Sequence, residues 1–421
     1  MVLEIKLKNF YSIKDEVILD LRAGNLRSKR SKDLAENVFT WEKSTILKTV
    51  AIYGANASGK SNIIKAIRFC CSMVFNSHTH NEDVTFNFKP FAFNKTPEPS
   101  EFSIKFVSNN IEYDYSYTLT PTEILTESLY HYPNGRKAKI FVRNERVNGK
   151  KSDKYSFGNV IKRPLDVAVN TSKKTLYISR ASQMDREIGK IIYNYFNHQF
   201  ILGYHNATNN LSVDFLFNKN KGFLLKALQI ADSDIVNITM EKEKVMSKSL
   251  GVTFDTEGKE TIDIRDKEIE QIRFKTYHRA NPNIAFDFDT QESDGTKKLF
   301  YILLNIIDII KNNKILLIDE IEDSLHTKIV EFIVDLFHKS KASQLIFSTH
   351  NTNLIDLERM RKDQIYFVNK NEEASSELYS LYDYKDFREN MDAEKGYLQG
   401  RFDAIPFIDY TNNLINSIVN E

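Results

Sequence analysis

Apolar and polar residues alternate along the first twenty positions with the period of two that is typical of β-strands. The pattern predicts strands from Val2 to Lys8 and from Val17 to Leu21, joined as a hairpin. Further on, the short apolar run from Lys48 to Tyr53 ends in glycine and precedes a helix-like segment from Lys60 to Phe75. We predict a buried strand, a loop and a helix over this stretch.

The middle of the chain changes to other patterns. Period-two alternation predicts an antiparallel sheet with strands at Phe102–Val107, Ile111–Leu119 and Ala138–Arg146, and the dipeptide Asn148-Gly149 predicts a tight hairpin turn after them. We interpret the aromatic residues of the strands between Phe86 and Tyr117 as core, with base-stacking platforms as the alternative. From about 185 to 283 the pattern is weak, with helices near 186–200 and 222–230 and then short strands up to 271–278, so we interpret this stretch as an inserted lobe.

From Gly295 onward helices and strands alternate. The predicted elements are a helix from Thr296 to Lys311, a strand from Lys314 to Ile318, a helix from Ser324 to Lys339 and a strand from Gln344 to Ser348. This alternation implies a parallel sheet covered on both faces. We therefore expect an N-terminal lobe over 1–183, an inserted α+β lobe over 184–284 and a C-terminal lobe over 285–421.

Composition and charge restrict the class of protein. With 421 residues, 41% of them hydrophobic and 27% charged, the chain has the composition of a folded globular protein. A net charge of +1 removes any global argument for binding nucleic acid or acidic lipid. The two cysteines, Cys70 and Cys71, are adjacent and suit a reducing compartment. No apolar run approaches the ~20 residues of a membrane span, so we expect a cytoplasmic protein with no membrane contact.

A phosphate-binding motif follows the strand that ends at Tyr53. The segment Gly54-Ala-Asn-Ala-Ser-Gly59-Lys60-Ser61 fits G-x-x-x-x-G-K-[ST] in the strand–loop–helix context that the motif requires. Its backbone N–H groups wrap phosphates, Lys60 reaches the terminal phosphates and Ser61 ligates Mg²⁺. The residues expected to bind ATP are Gly54, Asn56, Ala57, Ser58, Gly59, Lys60, Ser61 and Asn62.

Two acids and a histidine follow later apolar strands. Asp319 and Glu320 end the strand after Lys314, where the first acid can support Mg²⁺ and the second can act as the base that activates water. His350 follows the strand that ends at Ser348 and is placed to sense the γ-phosphate. A solvated pair of acids and a structural histidine are the alternatives, and the phosphate loop upstream makes them less favoured.

The segment Glu292-Ser293-Asp294-Gly295-Thr296 precedes the helix that begins near Thr296. Ser and Asp are ordinary helix caps, which is one explanation of the segment. The other is that a hydroxyl and the N–H groups of a helix N-terminus face a phosphate. The loop from Gly54 to Ser61 already encloses the phosphates bound by its own chain. Ser293 and Gly295 are therefore expected to contact the ATP of a second copy.

The chain resembles ABC-class ATPase heads in five segments and in their order along the sequence. These segments are the phosphate loop, Ser293-Asp-Gly, Asp319-Glu320, Asp323-Ser-Leu-His326 and His350. Within this class, the chain resembles the branch that contains structural-maintenance-of-chromosomes and overcoming-lysogenization-defect proteins. Three segments are more narrowly similar to bacterial stand-alone "AAA15" ATPases: the opening Leu7-Lys-Asn-Phe-Tyr-Ser-Ile13, the form Ser293-Asp-Gly-Thr296 and the tail Gly396-Tyr-Leu-Gln-Gly-Arg-Phe402. Many of these ATPases are encoded in phage-defence or abortive-infection operons beside an effector nuclease. The resemblance covers roughly 1–75 and 291–407.

The resemblance implies an α/β fold, an ABC-type P-loop ATPase head with a mixed or parallel sheet and an antiparallel β subdomain. It implies that Glu320 is catalytic, His350 is the switch, Ser61 and Asp319 hold Mg²⁺, and Ser293 with Gly295 acts in trans. It also places the segment from Asp323 to His326 across a dimer seam, although His326 also suits packing at a helix start. The family has glycine and glutamine at Asp294 and Thr296, and Gln183 is a candidate for its Mg²⁺-ligating glutamine, with a surface residue as the alternative.

The segment from Arg136 to Lys154 contains eight basic residues and only two acidic ones. A solvated hairpin and a surface that follows nucleic-acid phosphates both explain this segment. A smaller basic cluster over 27–32 is similarly ambiguous. The tail after His350 lacks the clustered carboxylates or histidines of a nuclease. We therefore expect an ATP-hydrolysing homodimer or higher oligomer that regulates a separate effector nuclease or toxin in anti-phage defence, with a DNA-repair ATPase as the alternative and a transporter motor as a weaker one.

Overall fold

The computed structural model describes residues 1–26, 28–202, 210–231, 233–254, 260–388 and 390–405. Arg27 of the smaller basic cluster and the end of the chain after Ile405 lie outside these residues. The chain forms two compact units. The first unit comprises Met1–Gly203, Asn312–Glu322 and Glu331–Glu421, and the second unit comprises Tyr204–Lys311 and Asp323–Val330.

The elements of both units are as follows. The strands are β1 (Val2–Lys8), β2 (Val17–Asp20), β3 (Val38–Trp41), β4 (Ser44–Leu47), β5 (Thr49–Gly54), β6 (Ser100–Ser108), β7 (Ile111–Leu119), β8 (Ile124–His131), β9 (Ala138–Asn144), β10 (Tyr155–Phe157), β11 (Phe200–Ile201), β12 (Ile235–Phe254), β13 (Glu260–His278), β14 (Asn281–Asp287), β15 (Ile315–Ile318), β16 (Gln344–Ser348), β17 (Ile365–Lys370) and β18 (Ser376–Ser380). The α-helices are α1 (Lys29–Asp33), α2 (Lys60–Asn76), α3 (Pro164–Val169), α4 (Tyr177–Gln183), α5 (Glu187–Asn194), α6 (Asn210–Ala231), α7 (Phe288–Gln291), α8 (Asp294–Lys311), α9 (Thr327–His338) and α10 (Ala393–Leu398). Each helix in the described part of the chain is too short or too polar to cross a bilayer.

The first unit contains a seven-stranded sheet in the order β10-β9-β8-β7-β6-β1-β2, with every neighbouring pair antiparallel. Along β6 and β7 buried residues alternate with partly exposed ones, as expected of a sheet with one face on the core. Phe102 and Tyr117 are cross-strand partners whose rings stack with centroids 5.2 Å apart, and both side chains are buried. The interpretation of these aromatic residues as core is confirmed.

A six-stranded sheet in the first unit has the order β11-β15-β16-β5-β17-β18 and is parallel except for its last pair. All residues of β5 are buried, because the strand lies in the middle of the sheet. Helix α2 contacts β5 and β16 of this sheet and β1 of the other sheet, so it packs between the two. The predicted hairpin, the strand–loop–helix and the parallel sheet are confirmed.

The prediction of a tight hairpin turn at Asn148-Gly149 is wrong. Strands β9 and β10 do pair antiparallel, but a longer connection over 145–154 joins them. Its Lys151 and Lys154 ammonium groups lie 2.9 and 3.0 Å from the carboxylate of Glu145, which is itself buried. The connection is longer because it packs its own cations on this acid. Sequence analysis also missed β8, which pairs with β7 and β9.

The second unit combines the sheet β12-β13-β14 with α6 and α8. The predicted short strands are wrong, since β12 has 20 residues and β13 has 19 in one antiparallel hairpin. Arg273 of β13 forms an ion pair with Glu243 of β12, at 3.0 Å. Because charged residues occur on these strands in place of a clean apolar alternation, the sequence pattern did not indicate their length.

Aromatic side chains form the core of the second unit. Phe300 of α8 lies 4.7 Å from Phe274 of β13 and 4.8 Å from Phe288, between ring centroids. Phe217 of α6 packs on Phe274 at 5.2 Å. This packing groups α8 with the inserted stretch, whereas the lobe limits drawn from the sequence separate the two at 284.

A buried hydrogen-bond network around His338 leads to a prediction about the pH dependence of the protein's stability. His338 Nε2 lies 2.8 Å from the Thr49 hydroxyl, which also accepts a hydrogen bond from the Gln364 amide. Burial, reinforced by the charges of Lys48 and Arg359, lowers the pKa of His338 to about 3. The unfolded chain, where histidine has a pKa of about 6.5, therefore takes up this proton first, and stability is lost as pH falls from about 6.5 towards 3.

We expect His338→Gln to reduce this dependence. Glutamine keeps a polar group beside Thr49 but does not titrate, so the loss of unfolding free energy between pH 7 and pH 5 should be smaller by about 2 kcal/mol than in the native chain. Urea unfolding at the two pH values measures the difference. An unchanged pH dependence in the variant would show that His338 is not the group responsible.

Candidate functional site

The phosphate loop occupies the carboxyl end of β5 and the start of α2. A Cβ atom at Gly54 would collide with the Val368 carbonyl of the neighbouring strand β17, so only glycine fits. Gly59 is the N-cap residue of α2 with a φ of 115°, and Ala57 has a φ of 62°. Both lie in the left-handed region, which tightens the loop around the space in front of the helix N-terminus. The loop is thus shaped to enclose an anion.

Lys60 lies over this loop. Its ammonium group donates hydrogen bonds to the carbonyl oxygens of Gly54 and Ala55, at 2.9 and 3.0 Å. Burial lowers the pKa of Lys60, and the charges of Glu320 and Asp319 partly oppose this effect. An ammonium group held by two neutral carbonyls can exchange them for phosphate oxygens, which are stronger charge-assisted partners.

The two acids that follow β15 lie at the same edge of the sheet. Asp319 Oδ1 accepts hydrogen bonds from the Ser61 hydroxyl at 3.2 Å and from the Ser348 hydroxyl at 2.5 Å. The same Ser348 oxygen accepts a hydrogen bond from the Glu320 backbone N–H at 2.7 Å. Glu320 has a φ of 49°, in the left-handed region, so this bond helps to hold a turn that non-glycine residues disfavour. The structure brings Ser61, Asp319 and Glu320 together.

His350 lies two residues beyond β16 and is exposed. Its backbone N–H donates to Glu322 Oε1 at 2.5 Å, while Glu322 Oε2 is buried and makes no hydrogen bond to the described residues. Because β16 lies between β5 and β15 in the sheet, the loop that carries His350 begins between the phosphate loop and the two acids. The role of His350 as a γ-phosphate sensor stays a prediction.

Four further side chains around the loop were not predicted from the sequence. Ser348 connects Asp319 to Glu320, and Glu322 holds His350. The Ser12 oxygen accepts a hydrogen bond from the Asn62 amide at 2.7 Å and lies 2.7 Å from the Ser376 oxygen. Ser376 donates to the Ser58 carbonyl at 2.6 Å. Ser12 lies inside the opening motif that carried the resemblance, which was the available signal, whereas Ser376 follows no motif.

Ser293 and Gly295 belong to the second unit. The Ser293 hydroxyl accepts the Thr296 N–H at 3.1 Å, which is the geometry of a helix cap for α8. A Cβ atom at Gly295 would lie 2.5 Å from the Ser324 carbonyl oxygen, and Lys298 donates to the Asp323 carbonyl at 2.6 Å. The segment from Ser293 to Gly295 therefore packs against the segment from Asp323 to His326 within one unit.

The structure does not support Gln183 as a Mg²⁺ ligand or the basic segment from Arg136 to Lys154 as a nucleic-acid surface. Gln183 is the last residue of α4 and is exposed. Arg143 is fully buried, with its Nε 3.0 Å from Glu145, and it donates to the Thr175 carbonyl. Lys137 pairs with Asp114 at 3.0 Å, and Lys151 and Lys154 pair with Glu145. These contacts favour a structural hairpin over a surface that follows nucleic-acid phosphates.

The oxygen atoms at the sheet edge suit a divalent cation. Mg²⁺ prefers a few protein oxygens together with phosphate oxygens and water. The Ser61 hydroxyl and the Asp319 carboxylate, 3.2 Å apart, offer oxygens of this kind beside the phosphate loop. The residues present therefore fit a magnesium ion bound together with a nucleotide.

Two solved structures are similar to the chain at low sequence identity. The Smc head bound to the C-winged helix domain of ScpA has a TM-score of 0.42 at 15% identity, with 90% of this chain and 97% of that chain covered. The SMC head domain from Thermotoga maritima has a TM-score of 0.36 at 14% identity, with coverages of 90% and 98%. No curated protein gives a match. Because both TM-scores lie below 0.5, the fold assignment rests on the phosphate loop, the strand order and the family match.

Together the strand–loop–helix, the acids after β15 and the separate antiparallel sheet confirm the predicted α/β fold class, an ABC-like P-loop ATPase head. The match to a family extends over residues 50–356, from the start of β5 to beyond His350. The chain therefore belongs to the family described as "AAA domain, putative AbiEii toxin, Type IV TA system".

Proposed function

We propose that the protein hydrolyses ATP at sites shared between two copies of its chain. The hydrogen-bonded path from Ser61 through Asp319 and Ser348 to the backbone of Glu320 carries this proposal. This path joins the start of α2 to Glu320, which lies beyond the end of the buried strand β15. Phosphoryl transfer to water needs such a combination, since charge must be neutralised on one side and water activated on the other.

Each residue has a distinct role in this mechanism. The backbone N–H groups of the loop and Lys60 bind the phosphates, and Ser61 with Asp319 would hold Mg²⁺. The ion would supply neutralisation of the charge on the phosphate oxygens. Glu320 takes a proton from the attacking water, and Ser348 fixes the backbone of this acid. His350 contacts the γ-phosphate and reports its presence.

The second half of the site comes from a second copy in this proposal. Ser293 and Gly295 stand at the N-terminus of the long helix α8, which favours an anion. The packing of this helix start against the segment that begins at Asp323 supports a common surface for the two sequences that the resemblance places at a dimer seam. ATP then strengthens the dimer, because the γ-phosphate contacts both chains.

A subunit-mixing experiment tests the shared site. We expect Ser293→Arg to abolish hydrolysis while ATP still binds, because arginine obstructs the contact made by the second chain but leaves the loop intact. Ser293→Arg chains mixed with Lys60→Ala chains should recover roughly a quarter of native activity, since half of the dimers are mixed and each contains one complete site. Phosphate release measures the recovery. A mixture as inactive as its components would contradict sharing between chains.

We further propose that this ATPase controls a separate effector, a nuclease or toxin, in defence against phage. The family description, which names a putative toxin and a toxin–antitoxin system, supports this context. The test is co-expression with the product of the neighbouring gene in cells. We expect the native chain to restrain or release the toxicity of that product, and Lys60→Ala to lose this control. Equal toxicity with both chains would argue against the regulatory role.

A further inference from the structure

The tail motif from Gly396 to Phe402 folds into a compact helix end. Gly400 has a φ of 78° and follows α10, the Gly400 N–H donates to the Tyr397 carbonyl, and the Arg401 N–H donates to the Gly396 carbonyl. These two bonds form a Schellman motif, which ends a helix on a left-handed glycine. A Cβ atom at Gly396 would lie 3.2 Å from the ring of Phe402, so this glycine allows the ring to fold back on the helix. The motif therefore fixes the position of α10.

One side of α10 packs beside the phosphate loop. The Tyr397 ring lies 6.0 Å from the ring of Tyr53, the residue before Gly54, and stacks on Phe367 at 5.6 Å. The Tyr397 hydroxyl donates to the Ala404 carbonyl at 3.3 Å. Burial raises the pKa of Tyr397, and the Gly54 backbone acts in the opposite direction. The helix therefore contacts the first residues of the loop.

The same helix contacts the loop that carries His350. The Thr352 hydroxyl donates to Glu394 Oε1 at 2.6 Å. Glu394 and Tyr397 are three positions apart in α10, so their side chains project from neighbouring positions on one side of the helix. On the other side of the histidine loop, Glu322 accepts the His350 N–H. Carboxylates thus hold this loop at two points, one after β15 and one in the C-terminal helix.

We propose that Glu394 and Tyr397 are positioning residues, which connect the loop of His350 to the phosphate loop so that ATP binding places His350 for hydrolysis. This inference rests on the proposed ATPase function. Neither residue touches the nucleotide in this proposal. Each acts through another group, Glu394 through Thr352 and Tyr397 through the phosphate-loop strand.

The test separates ATP binding from turnover. Thr352→Val removes the hydroxyl but preserves the side-chain shape, and Glu394→Ala removes its acceptor. We expect each substitution to lower kcat about tenfold and to change the Kd of a fluorescent ATP analogue less than about twofold. The double variant should be no slower than the slower single variant, because both substitutions break one bond. Glu394→Gln, which can still accept this hydrogen bond, should restore most of kcat.

Tyr397→Phe extends the test to the phosphate-loop side, since it keeps the ring stacking and removes only the hydroxyl. We expect a smaller fall in kcat, with unchanged thermal stability. Glu372→Ala serves as the matched control, since Glu372 is exposed in the turn between β17 and β18 and should behave as the native chain.

Two results would overturn the coupling while leaving the ATPase proposal intact. The first is a native kcat in both Thr352→Val and Glu394→Ala. The second is a parallel loss of ATP binding, kcat and thermal stability in these variants, which indicates a structural bond only. If the native protein itself releases no phosphate from ATP, the proposed function fails before the coupling is tested.

Discussion

Glu320→Gln is expected to bind ATP with native affinity and to hydrolyse it about 10²- to 10⁴-fold more slowly than the native chain, the range of a lost general base. Glutamine has nearly the same size and keeps the backbone bond to Ser348, but it cannot take a proton from water. Because the γ-phosphate then persists, dimers should accumulate. Phosphate release measures the rate, and size-exclusion chromatography with and without ATP measures the dimer.

Glu372→Gln is the matched control for this substitution, since it makes the same chemical change on an exposed residue in the turn between β17 and β18. It should hydrolyse ATP at the native rate and show no ATP-dependent accumulation of dimers. A native rate of phosphate release from Glu320→Gln would show that another group activates the water. Dimers that form equally without nucleotide would contradict the role of ATP in joining the chains.

Lys60→Ala should weaken ATP binding roughly 10²-fold or more, as expected when one partner of a buried charged contact is removed. Lys60 is 5% exposed, so cations from the solvent do not readily take the place of its ammonium group in the variant. The fold should survive, because within the described part of the chain the side chain donates only to the carbonyl oxygens of Gly54 and Ala55. Titration with a fluorescent ATP analogue gives the affinity, and thermal melting without nucleotide gives the stability.

Lys65→Ala controls for the removal of a lysine from the same helix. Lys65 is exposed on α2, just over one turn beyond Lys60. It should leave the affinity for the analogue within about twofold of the native value, in keeping with the small effects of ordinary surface substitutions. Native affinity in Lys60→Ala, or an equal loss in both variants, would remove Lys60 from the binding site.

The nucleotide-binding half of the site could be predicted from the sequence because its requirements are local. A buried strand, glycines at a tight loop, Lys60 and the following helix stand next to one another in the chain, and backbone geometry alone demands the residue types. Asp319 and Glu320 follow the same logic, since acids after an apolar strand reach the edge of a parallel sheet.

The groups that hold this machinery in place were not predictable, since they depend on strand register and on distant pairings. Ser348 meets Glu320 because β16 and β15 are parallel neighbours with Phe347 opposite Ile318. Ser376 meets Ser12 across 364 positions of the chain. Serine, threonine and glutamate are common surface residues, so nothing in their local sequence distinguishes those that bond across the fold.

The sequence by itself determined the class of fold, the phosphate loop and the acids, because each depends on residues adjacent in the chain. Tertiary structure alone decided that Arg143 of the basic segment is buried and that Glu394 reaches Thr352. It also showed the long hairpin of β12 and β13, where the apolar pattern was weak. The physical reason is common to all three: the local order of residues does not record which distant segments pair, nor which charged side chains that pairing buries.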